Sequence, residues 1–218
     1  MDPIILKFKQ PILVDGQTYT ECDMTGMRNL TTRQMYAAQL QNGLSLSTSH
    51  MEAQNLRYAI TVASAATGLP RGFFGQLKRT DALGFPREIN NLLDAMTEEF
   101  VTMKGKKIQF SKTVEGLGRT LDLSGLDTLV AEDYATAQDE IGIEESTTIS
   151  DIASVKYTCA LAALVTEKPL DVFMDAPAWV GIAVRGVVTG HFFEQDSAEL
   201  VQDTDAEDGS EKSGSAMS

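Results

Sequence analysis

A chain of 218 residues with 43% hydrophobic and 22% charged residues has the composition of a globular protein, which excludes fibrous and disordered classes for its body. It has no apolar run long enough to span a bilayer, and its start lacks the basic region and cleavage site of a secretion signal, so we expect a cytoplasmic protein. The formal net charge is −13, with eight acids against one lysine in residues 194–218. Phosphate backbones would repel such a chain, which argues against nucleic acid as its main partner.

A repeated phrase divides the chain. Leu56–Leu77, LRYAITVASAATGLPRGFFGQL, is followed 99 residues later by Val155–Ala176, VKYTCALAALVTEKPLDVFMDA. The spacing predicts two similar units of the α+β class, each a β-hairpin or small antiparallel sheet followed by about four helices. We term residues 1–100 the first copy and residues 101–193 the second copy.

Each copy begins with a predicted hairpin. In the first copy, Asp15-Gly16 lies between two β-prone runs, and glycine supplies the positive φ that a tight turn needs. In the second copy, Ile108–Phe110 and the residues after it give the same pattern, with Val114-Glu115-Gly116 resembling Val14-Asp15-Gly16. Between the copies, Met103–Lys107 is either a linker or the edge of a first strand.

Two predicted helices follow each hairpin. The first spans about Thr32–Gln41 and its equivalent about Ala131–Ile141, with Gly43 and Gly142 as C-terminal glycines. The second is predicted to start at a hydroxyl followed three residues later by an acid. These pairs are Ser49 with Glu52 and Thr148 with Asp151.

Prolines then stop the second helix and begin a short third one. Pro70 and Pro169 are the two equivalents. Aromatic residues recur at helical spacing in both copies, and we interpret them as core residues rather than partner-binding anchors. They are Tyr58, Tyr157, Phe74 and Phe173.

The copies differ most at their ends. Thr80–Phe100 predicts an amphipathic helix starting near Pro86, whereas Pro177–Phe193 is almost continuously apolar and must be covered by a core or a partner. Trp179 fits either a core position or an exposed docking face. Residues 194–218, acidic and without hydrophobic periodicity, predict a disordered tail.

No catalytic, cofactor-binding or metal-ligating residue is predicted. His50 and His191 lack the convergent partners of a metal site, so a structural or solvent-exposed role is favoured for both. Cys22 and Cys159 occupy non-equivalent places in the two copies, which favours reduced, buried thiols. The chain lacks a GxSxG elbow and a phosphate-binding glycine loop.

The order of motifs in each copy resembles the small tail assembly chaperones of tailed bacteriophages, the Mu-like group in particular. The hairpin KQPILVDGQTYTECDM, the following TGM phrase with Leu30, and Thr67–Pro70 with Leu77 and Asp81 carry the resemblance in the first copy. The second copy departs from it, because Thr166–Pro169 lacks the Gly-Leu pair and its hairpin lacks Pro-Ile.

The resemblance implies a non-enzymatic protein without cofactors that binds the tape measure protein, and in some settings the tail tube protein, and is absent from the finished virion. It assigns no client-binding residue and leaves self-association open. A structural component of the tail, such as a tube or completion protein, is the alternative interpretation. An enzyme with an unrecognised site is a third, and the absence of a polar constellation shared by the copies argues against it.

Overall fold

The computed structural model describes residues 2–44, 54–142 and 154–207, with side chains described as far as residue 193. Helices and two small antiparallel sheets make up the fold, so the predicted α+β class is confirmed. The first copy contains β1 (Ile5–Val14), β2 (Gln17–Asp23), a 3-10 helix (Thr25–Asn29), α1 (Thr32–Gln41), α2 (Leu56–Thr67), α3 (Arg71–Phe74), α4 (Arg79–Ala82) and α5 (Phe85–Phe100). The second contains β3 (Val101–Lys104), β4 (Lys107–Val114), β5 (Gly118–Asp122), a 3-10 helix (Ser124–Thr128), α6 (Ala131–Ile141), α7 (Val155–Thr166), α8 (Leu170–Asp175) and α9 (Ala178–Glu207).

Both predicted hairpins are present, in separate sheets. Strands β1 and β2 form one sheet, and β3, β4 and β5 form the other in that order. The turn of the first hairpin has Asp15 at φ 50° and Gly16 at φ 78°, the left-handed pair that a two-residue turn requires. Met103–Lys107 contains the end of β3 and its turn to β4, so the strand alternative is the one observed.

A β-bulge of the same size interrupts both hairpins. In the first, the register shifts between Lys7 and Ile12, and in the second between Gln109 and Val114. The shift places four residues of one strand opposite one of its partner in both copies. Val114 is therefore equivalent to Ile12, and not to Val14 as the turn sequences suggested.

From the 3-10 helices onward the two copies match at a spacing of 99 residues. The predicted bounds of α1 and α6 are confirmed. Helix α2 begins at Leu56 and α7 at Val155, later than the predicted starts; Asn55 and Ser154 are the caps, each accepting from the backbone N–H three residues on. The predicted capping pairs, Ser49 with Glu52 and Thr148 with Asp151, lie outside the described residues.

Helix α9 corresponds to two helices of the first copy. Its first turn is equivalent to α4, and the rest is equivalent to α5. Gly84 and Pro86 separate α4 from α5, because proline ends a preceding helix and suits the first turn of the next. Ala183 and Arg185 stand at those places in α9, which continues without a break to Glu207. This end lies beyond the boundary predicted at residue 193, and no glycine or proline interrupts the chain between Gly190 and Gly209.

One hydrophobic cluster includes residues of both copies. Trp179, only 1% exposed, packs against Phe100 with ring centroids 5.2 Å apart and against Phe110 at 5.7 Å. Of the two predicted alternatives for Trp179, the core position is the one observed. The four repeated aromatics are also buried, as predicted. They are Tyr58, Tyr157, Phe74 and Phe173.

The C-terminus of α7 differs from that of α2 in one residue that matters. Gly68 ends α2 at φ 72°, and its equivalent Glu167 ends α7 at φ 53°. A left-handed conformation costs a side-chain-bearing residue about 1–2 kcal/mol, and glycine avoids most of that cost. Glu167→Gly is therefore expected to raise the free energy of unfolding by about 0.5–1 kcal/mol after the entropy of the unfolded chain is subtracted.

Urea denaturation followed by far-ultraviolet circular dichroism would measure this change. The matched substitution Gly68→Ala, where a Cβ meets no atom within 4 Å, should lower the free energy of unfolding by about 1 kcal/mol through backbone strain alone. A Glu167→Gly protein that is less stable than the original would contradict the assignment.

Candidate functional site: the hairpin groove

A groove lies between the second hairpin and the segment from α8 to the start of α9. Residues 112–116 form one wall, residues 171–179 form the other, and the cavity between them has a volume of about 900 Å³. Its apolar lining residues are Val114, Val172, Ala176, Pro177 and Trp179, of which Val172 and Pro177 are partly exposed and the other three are buried. We call it the hairpin groove. Its size suits a few apolar side chains from a partner peptide.

In the first copy a carboxylate binds the bulge of the hairpin. Asp81 accepts hydrogen bonds from the backbone N–H groups of Lys9 and Gln10, in the bulge of β1, at 2.8 and 3.0 Å. The residue equivalent to Asp81 in the second copy is Val180, which is fully buried and can accept no hydrogen bond from the bulge of β4. The second copy therefore lacks the hydrogen bonds that hold the bulge of β1 to α4 in the first copy. A separate groove of about 360 Å³ lies beside β1 and α4 and is lined by residues 5–9 and 80–88.

Two contacts hold the tip of the second hairpin against α8. Lys168 donates to the carbonyl oxygen of Gly116 at 2.9 Å. A Cβ on Gly116 would lie 2.5 Å from Cγ1 of Val172, so the backbone approaches this side chain closely, and φ of 71° also favours glycine. These contacts fix one end of the groove while its remaining length stays open.

Charged side chains surround the apolar floor. The ammonium of Lys112 lies 4.4 Å from the Phe100 ring centroid and 5.6 Å from that of Trp179, a cation–π arrangement. Arg33 of α1 pairs with Asp171 and Asp175 at 2.7 Å each. The hydrogen bonds from Arg33, first to Asp175 and then to Asp171, raise the pKa of the guanidinium. Both carboxylates are thus paired with the guanidinium of Arg33.

The residues singled out for chemistry in the sequence do not meet in this groove. His191 is 2% exposed and its Nδ1 lies 3.6 Å from Asp127, which also accepts from Lys106. His50 lies outside the described residues. Within the parts of the chain that the structure describes, no group of three His, Cys, Asp or Glu residues could hold a metal ion.

Both cysteines are free and buried, as predicted. Burial, with a smaller effect of Asp23, raises the pKa of Cys22 to about 11, and burial raises that of Cys159 to about 12. A thiol with such a pKa is largely protonated at neutral pH and is a poor nucleophile. Neither cysteine lines the groove.

Thr80–Phe100 and Pro177–Phe193, the segments in which the copies differ most in sequence, each line one groove. The sequence does not indicate Lys112–Gly116 as the opposite wall, because residues distant in sequence meet there only after folding. The signal that could have indicated the difference is the replacement of Asp81 by Val180 at the equivalent place.

No helix of the described residues is long and apolar enough to cross a membrane. Comparison with protein-family models, curated proteins and solved structures finds no match for this chain.

Proposed function

We propose that the chain is a tail assembly chaperone of a tailed bacteriophage, composed of two fused copies, that binds the tape measure protein and keeps it soluble while the tail tube assembles. The observation that carries the proposal is the hairpin groove, an apolar groove with a charged rim in the second of two repeated hairpin-and-helix units. The proposed family rests on the order of sequence motifs in the first copy. The protein acts without catalysis or a cofactor, in the cytoplasm of the bacterial host, and is left out of the finished virion.

The chemistry of the groove suits a helical client. A tape measure protein is long and helical, and an amphipathic helix places apolar side chains at intervals of three and four residues. Val172 and Pro177, the partly exposed apolar residues of the lining, can contact such side chains. The charges at the rim are of both signs and can pair with polar residues that flank the client's apolar stripe.

The net charge supports the same role. With a formal charge of −13, the chain repels other copies of the complex at long range, which keeps a complex with an apolar client in solution. Several large apolar side chains are also exposed outside the groove. They include Leu13, Leu40, Leu83, Met103 and Val130, each more than half exposed.

Co-expression with the tape measure protein encoded in the same phage tests the function. The chain is expected to move the tape measure protein from the insoluble to the soluble fraction and to co-purify with it. A tape measure protein that stays insoluble with and without the chain would contradict the proposed function.

Val172→Lys tests the groove itself. Val172 is half-buried in the floor, so a charge there should reduce recovery of the soluble complex at least about tenfold, because an unpaired ammonium in an apolar contact costs more than about 1.4 kcal/mol. Leu40→Lys is the matched control, since Leu40 is 58% exposed and lies on α1 outside the groove. Full recovery with a folded Val172→Lys protein would move the client site elsewhere and leave the function standing.

Mass spectrometry of purified particles separates this role from that of a structural tail component. A chaperone is absent from particles, whereas a tube or completion protein is present in stoichiometric amount. Detection of the chain as a regular component would favour the structural role.

A further inference from the structure

A pair of backbone hydrogen bonds joins the first copy, near the start of α1, to the second copy, near the start of α9. The backbone N–H of Thr32, at the start of α1, donates to the carbonyl oxygen of Ala176 at 2.9 Å, and the N–H of Ala178 donates to that of Leu30 at 2.7 Å. We call this pairing of residues 30–32 with residues 176–178 the inner contact. Thr32 is fully buried in it, and Cβ on Gly181 would lie 2.5 Å from Cγ2 of Thr32.

The equivalent segments at the other ends of the copies are not joined. Leu129–Ala131, at the start of α6, is equivalent to residues 30–32, and we call it the α6 edge. Leu77–Arg79, at the start of α4, is equivalent to residues 176–178, and we call it the α4 edge. Within the described ranges, the N–H of Ala131 and of Arg79 and the carbonyl oxygens of Leu129 and Leu77 make no hydrogen bond.

Residues of the α6 edge are also more exposed than their equivalents in the inner contact. Leu30 is 2% exposed in the inner contact, whereas its equivalent Leu129 is only partly buried. Val130 is 60% exposed and Ala131 is also exposed, although Thr32, at the place of Ala131, is fully buried. A backbone segment with unpaired N–H and carbonyl groups and an exposed apolar side chain can pair with another chain.

At one pair of places the two edges match in size. In the inner contact, Thr32 packs against Gly181. The equivalent of Thr32 at the α6 edge is Ala131, and the equivalent of Gly181 at the α4 edge is Ala82. The larger and smaller residues of the inner contact are thus replaced by two of intermediate size, which keeps the summed volume nearly constant.

They are complementary in charge as well, with the signs exchanged. In the inner contact, Arg33 of α1 meets the carboxylates of Asp171 and Asp175. At the α6 edge the place of Arg33 is taken by Glu132. The α4 edge carries three exposed basic residues and Gln76 at the place of Asp175. These basic residues are Arg71, Lys78 and Arg79.

We propose that the α6 edge of one molecule binds the α4 edge of a second copy of this chain, in the geometry of the inner contact. The interface is heterologous, because its two surfaces differ, so one molecule can bind a neighbour at each end and chains of molecules form. This inference is independent of the proposed function, since it concerns surfaces outside the hairpin groove and a different partner.

Sedimentation velocity of the purified full chain over a wide range of concentrations tests the proposal. The expected result is a concentration-dependent series of species larger than the monomer. A chain that stays monomeric at every concentration would overturn it.

Ala131→Pro tests the backbone pairing. Ala131 is the first residue of α6, where the N–H has no intrahelical partner and proline is well tolerated, and Val130 has the extended backbone that a following proline requires. Removing this N–H should weaken association at least about fivefold, by the loss of an interface hydrogen bond. Ala131→Ser keeps the N–H and is the control. Unchanged association of a folded Ala131→Pro protein would contradict the proposal.

Charge reversal tests the pairing of the two edges. Glu132→Arg should weaken self-association about fivefold, and so should Gln76→Asp, because each places like charges face to face. A mixture of the two variants should recover the larger species, because the α6 edge of the first matches the α4 edge of the second as Arg33 matches Asp175, and the opposite pair of edges is the original one. Glu98→Arg, an exposed reversal on α5, should leave association unchanged. A mixture that associates no better than either variant alone, or a loss of association in Glu98→Arg as large as in Glu132→Arg, would overturn the assignment of the edges.

Discussion

Replacing Trp179 with alanine is expected to lower the free energy of unfolding by about 3–5 kcal/mol, the largest effect of any single truncation considered for this chain. The indole is 1% exposed and is packed between Phe100, at the end of α5, and Phe110, in β4. Its removal leaves a cavity where the first copy, the second sheet and α9 meet. Since the cluster includes residues of both copies, we expect one cooperative transition that shifts as a whole. Urea denaturation followed by far-ultraviolet circular dichroism measures it, because Trp179 is the only tryptophan and its fluorescence is lost in the variant.

Trp179→Phe is the matched control. The indole N–H is buried without a hydrogen-bond partner in the described structure, so phenylalanine keeps most of the ring contacts and removes an unsatisfied donor. The expected cost is below about 1.5 kcal/mol. Two separate transitions in Trp179→Ala, with only the second copy destabilised, would show that the copies unfold independently and that Trp179 does not join them.

The periodic parts of the fold could be predicted because their signals are local. A glycine at positive φ marks a turn or a helix end wherever it falls, and Gly16, Gly43 and Gly142 all have positive φ. The bounds of α1 and α6 follow from apolar spacing and a terminal glycine, which need no information from the rest of the chain. Because the copies repeat at one spacing, a prediction made for a residue of one copy also applied to its equivalent in the other.

The starts of α2 and α7 show the limit of local signals. Helix α2 begins at Leu56 and α7 at Val155, with Asn55 and Ser154 as caps, whereas the predicted pair of Ser49 with Glu52 lies outside the described residues. Asparagine and serine are common in loops and caps alike, so several candidates precede the apolar run and only the folded backbone chooses among them. The 99-residue spacing between Asn55 and Ser154 was present in the sequence and would have supported this pair equally well.

The candidate site could not be predicted because it depends on differences between the copies. Val180 in place of Asp81 is one apolar residue in an apolar helix, and its meaning appears only once the bulge of β1 is seen to bind Asp81. Likewise, the repeat predicts that both copies have the same two edges, but it does not indicate which edge of the first copy contacts which edge of the second. In the structure, the start of α9 packs on α1, with Gly181 against Thr32.

Gly26→Ala is expected to lower the free energy of unfolding by about 3 kcal/mol, the upper part of the range for overpacking. Gly26 lies in the 3-10 helix after β2, against the last turn of α2. A Cβ on Gly26 would overlap the carbonyl oxygen of Ala66 and lie 3.0 Å from its carbonyl carbon. A backbone group inside a helix cannot rotate away as a side chain can, so α2 or the 3-10 helix must shift. Urea denaturation gives the change in free energy, with an unchanged dependence on urea concentration showing that the fold is kept.

Gly125→Ala makes the same substitution at the equivalent place in the second copy. There the nearest atom to an added Cβ is the Cβ of Val165, at 3.0 Å, and the carbonyl oxygen is 3.4 Å away. A shift of a few tenths of an ångström relieves a contact of this length, so the expected cost is about 1 kcal/mol. Equal costs at the two glycines would mean that the close approach of the 3-10 helix to α2 does not set the stability of the first copy.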